Sequence, residues 1–217
     1  AKKLHLPLAP LDVQRHIVRL LDAANASNAS ARQHLANAAT LVRKFRQSVL
    51  SAACSGRLTA DWRSGRESSG DRLVERLTEA RREAGLRKPP SEIAASGLAE
   101  IPPTWDWVSV DMLALAVVDG VHKTPTYVDE GIPFVTVRSL TAGAGIDLSA
   151  GKFITPEDHA LFTRRTAPQR GDILISKDGT IGVTRAVRSD EPFSIFVSVA
   201  MVKPLMYEMT DYLELAF

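Results

Sequence analysis

The sequence predicts an α+β protein, with a long coiled-coil-type helix leading into a compact domain on a curled, mostly antiparallel sheet. Two observations predict it. A seven-residue repeat of small and aliphatic residues runs through the first quarter of the 217 residues, and from Trp105 onward short β-rich runs alternate with Gly, Pro and Asp turns. A sustained heptad means a helical seam, and short strands between turn residues mean a sheet.

The helix is expected from Pro10 to Gly56. Ile17, Ala24, Ala31, Ala38, Phe45 and Ala52 fall seven residues apart, and Leu21, Asn28, Leu35, Val42 and Val49 form a second series four residues behind the first five. Nine of these eleven positions are aliphatic, and with Phe45 only Asn28 interrupts the seam. A strict heptad keeps one stripe turned toward a partner helix. Alanine at four of the six positions in the first series lets two backbones approach closely, which suits a tight antiparallel pair better than a parallel zipper. Asn28 is either a register-setting polar residue or a solvated gap. Pro7 and Pro10 bar an earlier start, Asp12 sets a negative charge in the first turn, and Gly56 supplies the stop. No second heptad follows, so the seam is expected to find its mate in another chain.

Residues 1–10 read as an extended lead-in broken by prolines. After Gly56, the Gly/Ser-rich stretch 64–70 marks a linker, although Leu58 and Trp62 are expected to dock. Asp71 to Ala84 forms a short helix with Leu73, Leu77, Ala80 and Ala84 on one face, ended by Gly85. Prolines at 89, 90, 102 and 103 frame another linker, and a domain boundary falls near 100.

From there strands are expected at Trp105–Val108, Leu113–Val118, Ile132–Arg138 and Lys152–Ile154. Pro156–Phe162 reads as a helix with Thr155 as its N-cap. Ile173–Ser176 and Ile181–Val187 form a hairpin about Asp178-Gly179. Ser194–Val202 is the last strand, and Tyr207–Phe217 begins a helical segment. The lack of a closing element and the first residue Ala1 suggest an excised or truncated piece. The expected organisation is 1–56, lead-in and helix; 57–100, linker with a short helix; 101–217, the sheet domain.

Composition is ordinary for a soluble protein, at 45% hydrophobic and 24% charged. No apolar run approaches the length of a membrane span and no secretory signal pattern opens the chain, so a cytoplasmic location is expected. The single cysteine, Cys54, excludes a disulfide framework. Net charge is only +2 but uneven: residues 1–56 hold eight Lys or Arg against two Asp, whereas 101–217 hold ten against fifteen acids. A basic rod followed by an acidic domain fits a phosphate backbone, an acidic partner or a solvated helix face.

No catalytic constellation emerges. His5, His16, His34, His122 and His159 have no metal-ligand spacing, and one cysteine cannot form a zinc site. Gly143-x-Gly145 lacks the third glycine of a dinucleotide loop, and no phosphate-binding loop or nucleophile elbow occurs. Asp172 and Asp178 form a conceivable acid pair but stand where strand starts and turns commonly place aspartate. The chain is expected to be no enzyme, with no metal and no cofactor of its own.

Leu-Pro-Leu-Ala-Pro-Leu-Asp-Val-Gln-Arg-His-Ile-Val (6–18) and the stretch from Phe45 to Arg63 resemble the start and end of the conserved helix of type I restriction–modification specificity subunits. Ile-Pro-Pro-Thr-Trp-Asp-Trp-Val (101–108), Gly-Ile-Pro-Phe-Val-Thr-Val-Arg-Ser-Leu (131–140) and Gly-Asp-Ile-Leu-Ile-Ser-Lys-Asp-Gly-Thr-Ile-Gly (171–182) resemble a target-recognition domain of that family. The resemblance covers nearly the whole chain, in the family's order. It implies a plan of two recognition domains and two conserved helices that pair antiparallel as a ruler between DNA half-sites. Here the central helix and the second recognition domain stand alone, so two copies pairing their rods would give a homodimer. It further implies double-stranded DNA, DNA adenine methyltransferase subunits carrying S-adenosylmethionine, and a restriction/translocase subunit as partners.

DNA-reading residues are expected on three loops and one basic edge. His122, Lys123, Thr124 and Tyr127 share a proline-fixed loop, Arg138 and Ser139 end a strand, and Lys177, Asp178 and Thr180 cap the hairpin. Arg164, Arg165 and Arg185, with Arg170 and Arg188, form a phosphate-facing edge. The rival readings are a coiled-coil adaptor whose globular domain binds protein rather than DNA, and a stand-alone methyltransferase or nuclease.

Overall fold

The structure, a computed structural model, describes residues 7–65, 71–94 and 96–217. The lead-in at residues 1–6 and the linker at 66–70 lie outside the described residues. The chain divides into two units, residues 1–52 and 53–217.

The first unit is the expected rod. Helix α1 runs Leu11–Cys54, 44 residues, or about 66 Å at 1.5 Å per residue. Its first intrahelical bond runs from the Gln14 amide to the Pro10 carbonyl at 2.9 Å, and Asp12 lies in the first turn, where the helix dipole favours an acid. None of its residues is buried. The heptad positions Leu21, Leu35 and Phe45 are 57%, 72% and 69% exposed, and only Val49 and Ala52 at its end are half-buried, so most of the seam is exposed. Gly56 ends the helix at φ 75°, and a Cβ there would overlap the ring of Pro102. The stop is therefore both conformational and steric.

In the second unit a 3-10 turn (Arg57–Thr59) leads into the short α2 (Ala60–Arg63). The Arg63 guanidinium lies over the Trp105 ring at 5.5 Å. Helix α3 (Asp71–Glu83) buries Leu77, while Leu73 stays exposed. Arg81 is also buried, donating to the carbonyls of Asp111 and Lys88. The predicted apolar face thus contributes one anchor, and an arginine from the polar pattern completes the docking.

The remaining elements are α4 (Val110–Leu113), β1 (Ala114–Asp119), β2 (Tyr127–Val128), β3 (Ile132–Val135), α5 (Val137–Thr141), β4 (Lys152–Ile154), α6 (Pro156–Phe162), β5 (Ile173–Ser176), β6 (Thr184–Ala186), β7 (Ser194–Ile195), β8 (Val199–Pro204) and α7 (Thr210–Ala216). They form two four-stranded sheets, ordered β1-β8-β5-β6 and β2-β4-β3-β7. Every strand pair is antiparallel except β3 with β7. The expected α+β class, long helix and mostly antiparallel sheet are all present.

One core cluster joins the two sheets: Val135 and Ile195 come from the second, Leu174, Val199 and Met201 from the first, with Leu140, Val187 and Phe193 between. A second packs α7 through Leu213 onto Ile173, Ala186 and Val202. A third holds Phe134, Ile154 and Phe162, with Phe134 and Phe162 centroids 6.2 Å apart.

Four strand expectations are corrected. Ile181–Val187 narrows to β6, Thr184–Ala186, because Gly179 and Gly182 turn the chain at φ 64° and 82° and leave Ile181 in the turn. Trp105–Val108 is not a strand: Trp105 folds back to Pro102 through a 2.9 Å amide bond, and the Trp107 indole donates to the Ala99 carbonyl at 3.2 Å. The Trp105 ring meets the Arg63 guanidinium rather than a pleated surface. The run Ile132–Arg138 stops at Val135, because Thr136 becomes the N-cap of α5 and its amide donates to the Ser139 hydroxyl. The run Ser194–Val202 divides between the sheets as β7 and β8, separated by a turn closed by the Val199 amide on the Phe196 carbonyl at 2.9 Å.

Candidate nucleic-acid interface

The loop after β1 is seated by its backbone. Gly120 lies so close to residues 195 and 196 that a Cβ would overlap their carbonyl groups. The amides of Gly120 and Val121 donate to Val199 and Ile195, and the Val197 amide returns a bond to Val121. At the far end the Thr126 amide donates to the Asp158 carboxylate at 2.7 Å, at the start of α6. Pro125 is buried between these anchors while His122, Lys123 and Thr124 are exposed. Tyr127 follows at the edge of Phe134, and the Lys152 ammonium stands 4.1 Å from its ring centroid.

Asp119 gathers two further segments onto this loop. Its carboxylate meets the Lys177 ammonium at 2.6 Å, at the base of the β5–β6 hairpin tip. Its carbonyl accepts from the buried Thr166 hydroxyl at 3.1 Å, which holds the turn after α6 that carries exposed Arg164 and Arg165. The fold therefore brings together three groups far apart in sequence: His122, Lys123 and Thr124; Arg164 and Arg165; and the tip with Lys177, Asp178 and Thr180.

The tip itself is held by one buried hydroxyl. Ser176 is 0% exposed, donates through Oγ to the Thr180 carbonyl at 2.5 Å and accepts from the Val183 amide at 2.8 Å. Its carbonyl accepts from Gly182 and its amide donates to Val183. Asp178 caps its own turn, accepting from the Gly179 amide at 2.8 Å. Residues 177–182 are all exposed around this clamp.

Other predicted residues lie apart. Ser139 is completely buried and caps α5, so its side chain does not reach solvent. Arg138 is exposed on the same helix. The Arg185 guanidinium donates to the carbonyls of Thr184 and Gly143, at 2.9 and 2.8 Å, so it braces the turn after α5. The basic edge also loses charge to acids that come from elsewhere in the chain. Arg170 pairs with Asp190 at 2.7 Å, and Arg188 with Asp211 and Glu214 at 2.6 Å each. These bonds raise the pKa of both arginines. Arg164, Arg165 and Arg185 make no ion pair among the described residues, and of the three Arg164 and Arg165 are the exposed ones.

The imagined acid pair also separates. Asp172 is buried and bound to Lys203 at 2.7 Å, while Asp178 sits at the exposed tip. Among the described residues no group of three His, Cys, Asp or Glu side chains is placed to hold a metal, and no helix is long and apolar enough to cross a membrane. Sequence reasoning missed Asp119, Thr166 and Ser176 as organising residues. Their roles depend on contacts across more than twenty intervening residues or on burial, and only Gly179 and Gly182 signal the tight tip.

No family model matches this chain. It is 26% identical over 199 residues to the EcoBI specificity subunit of a type I restriction enzyme from Escherichia coli, covering 92% of this chain and 38% of that protein. Among solved structures, the HsdS subunit from Thermoanaerobacter tengcongensis aligns with 96% of this chain at 20% identity and a TM-score of 0.35. A chain from a structure on complex assembly and conformational transition of the type I R-M system aligns over the same share, also at 20% identity, with a TM-score of 0.43. This chain spans 38% of the curated relative and 43% of each solved chain. The resemblance carried by the sequence motifs agrees with this alignment: over nearly its whole length the chain is similar to a type I restriction enzyme specificity subunit.

Proposed function

We propose that this chain is a non-catalytic DNA-recognition element of a type I restriction–modification complex, reading one half of a bipartite site. The observation that carries the reading is the match to the EcoBI specificity subunit over 92% of the chain. The geometry supports it. Cations at 123, 164 and 165 share one neighbourhood with a rigid hairpin tip, as a surface does that meets phosphates with some groups and base edges with others. Within this reading, Arg164 and Arg165 contact phosphates, while His122, Lys123, Thr124 and the tip residues Lys177, Asp178 and Thr180 approach bases.

The exposed seam of α1 is the pairing surface. It docks an antiparallel helix of the same kind, which for this chain alone is that of a second copy, and DNA adenine methyltransferase subunits dock through the same long helix. Methylation, S-adenosylmethionine binding and cleavage belong to the methyltransferase and restriction subunits. Selection from randomised duplexes, with the purified chain alone and with a methyltransferase subunit added, tests the reading. Recovery of one short recurring sequence is expected, and two failed selections would rule it out.

A further inference from the structure

Ile181 is 74% exposed, more than any other large hydrophobic residue from position 53 onward among those described. Nothing in its position is loose. It sits at the tip of the β5–β6 hairpin between Gly179 and Gly182, whose φ angles of 64° and 82° make the tight turn. The buried Ser176 hydroxyl donates to the Thr180 carbonyl just before Ile181 and accepts from the Val183 amide two residues after it. The fold thus uses a fully buried polar side chain to hold a β-branched, rotationally stiff side chain out in water. Its surroundings are cationic and polar: Lys177 and Thr180 on the tip, and across Asp119 the His122–Lys123 loop and the Arg164–Arg165 turn.

We propose that Ile181 is a specificity-determining residue that packs against the C5-methyl group of a thymine in the DNA major groove. The inference rests on the DNA-recognition reading above and adds to it a base and an atom. The major groove admits a two-stranded β-ribbon, and the thymine methyl is the apolar feature of its base edges. A side chain with neither donor nor acceptor gains nothing from phosphates or from the polar edges of the other bases. Because Ser176 fixes the tip beforehand, the contact orders little on binding.

The test uses the full 217-residue chain and the duplex that it enriches from a random pool. Each thymine is replaced in turn by uracil, which lacks only the methyl group, and affinity is measured at one fixed salt concentration. The wild-type chain is expected to lose about fourfold at one thymine position, the worth of one buried methyl group. Ile181→Ala should bind the thymine and uracil duplexes equally, and Ile181→Val should keep most of the preference. Since Ile181 is held out in water, neither change is expected to disturb folding, which circular dichroism checks. Indifference of the wild-type chain to uracil at every position overturns the proposal, as does a uracil penalty that persists in Ile181→Ala. Failure to enrich any sequence, both by the chain alone and with a methyltransferase subunit added, removes the recognition reading itself, a result distinct from either of these.

Discussion

The Lys177 ammonium meets the Asp119 carboxylate at 2.6 Å, joining the hairpin tip to the end of β1. Both side chains are more than a third exposed, so the pair adds little to stability. It does fix where the tip stands against the 120–126 loop, and it places an acid beside a cation that faces the candidate DNA surface. Asp119→Asn should therefore tighten binding to nonspecific duplex and steepen the salt dependence by about 0.9 in logarithmic slope, as the freed Lys177, which approaches bases in the recognised site, meets one phosphate on nonspecific duplex. Fluorescence anisotropy over a salt series measures this, and an unchanged slope contradicts the idea that Asp119 restrains Lys177.

Arg164 and Arg165 are exposed and make no ion pair among the described residues. The double change Arg164→Ala, Arg165→Ala should weaken binding to all sequences alike and lower the salt slope by up to about two. Lys123→Ala, on the loop seated by Gly120, should instead shift sequence preference more than nonspecific affinity. If the double variant binds as the wild type does in filter assays, the phosphate-facing role is wrong. If Lys123→Ala recovers the parental motif at full strength, the loop does not read bases.

The α1 seam predicts association. Light scattering should give twice the chain mass, and Leu35→Asp with Val42→Asp should return the monomer by placing charge on the apolar stripe. A wild-type chain that is monomeric at micromolar concentration would count against pairing between copies.

Gly56→Ala should destabilise the second unit by more than about 1 kcal/mol, because the position has φ 75° and the added Cβ meets Pro102. Urea unfolding followed by Trp fluorescence reports it. Equal midpoints would mean that the α1 stop and the Pro102 contact are dispensable.

His159 links stability to pH. Partial burial lowers its pKa below the usual value of 6.5, and its ring nitrogen contacts the Ser194 hydroxyl at 2.9 Å. A lowered folded-state pKa means that the unfolded chain binds the proton more readily, so stability rises with pH through this window. The His159 contribution is complete above about pH 6.5 and is lost as pH falls through the folded-state value. His159→Gln should flatten this part of the stability profile, and chemical denaturation at a series of pH values from neutral downward checks it.

How much was legible in the sequence depended on how local each cause is. The α1 bounds follow from Pro10, the heptad and Gly56, and α6 follows from its Thr155 cap and Pro156, so both appear where expected. The β-rich stretches around Trp105, Val137 and Val197 misled, because side-chain capping, cation–aromatic contact and a switch between sheets decided them. For the candidate site, exposure of the 122–124 loop and the hairpin tip was readable from turn chemistry. The charge balance was not: Asp190, Asp211 and Glu214 reach Arg170 and Arg188 only after folding. Ser139 was misplaced for a related reason, since a strand-end reading exposes it and the α5 cap buries it.

The most direct measurement of the central claim is the ratio of affinities for the enriched duplex and its scrambled counterpart, taken at one fixed physiological salt concentration. Recognition of a half-site predicts a ratio of at least about a thousand for the chain with a DNA adenine methyltransferase subunit added. Equal affinities for the two duplexes would contradict the account.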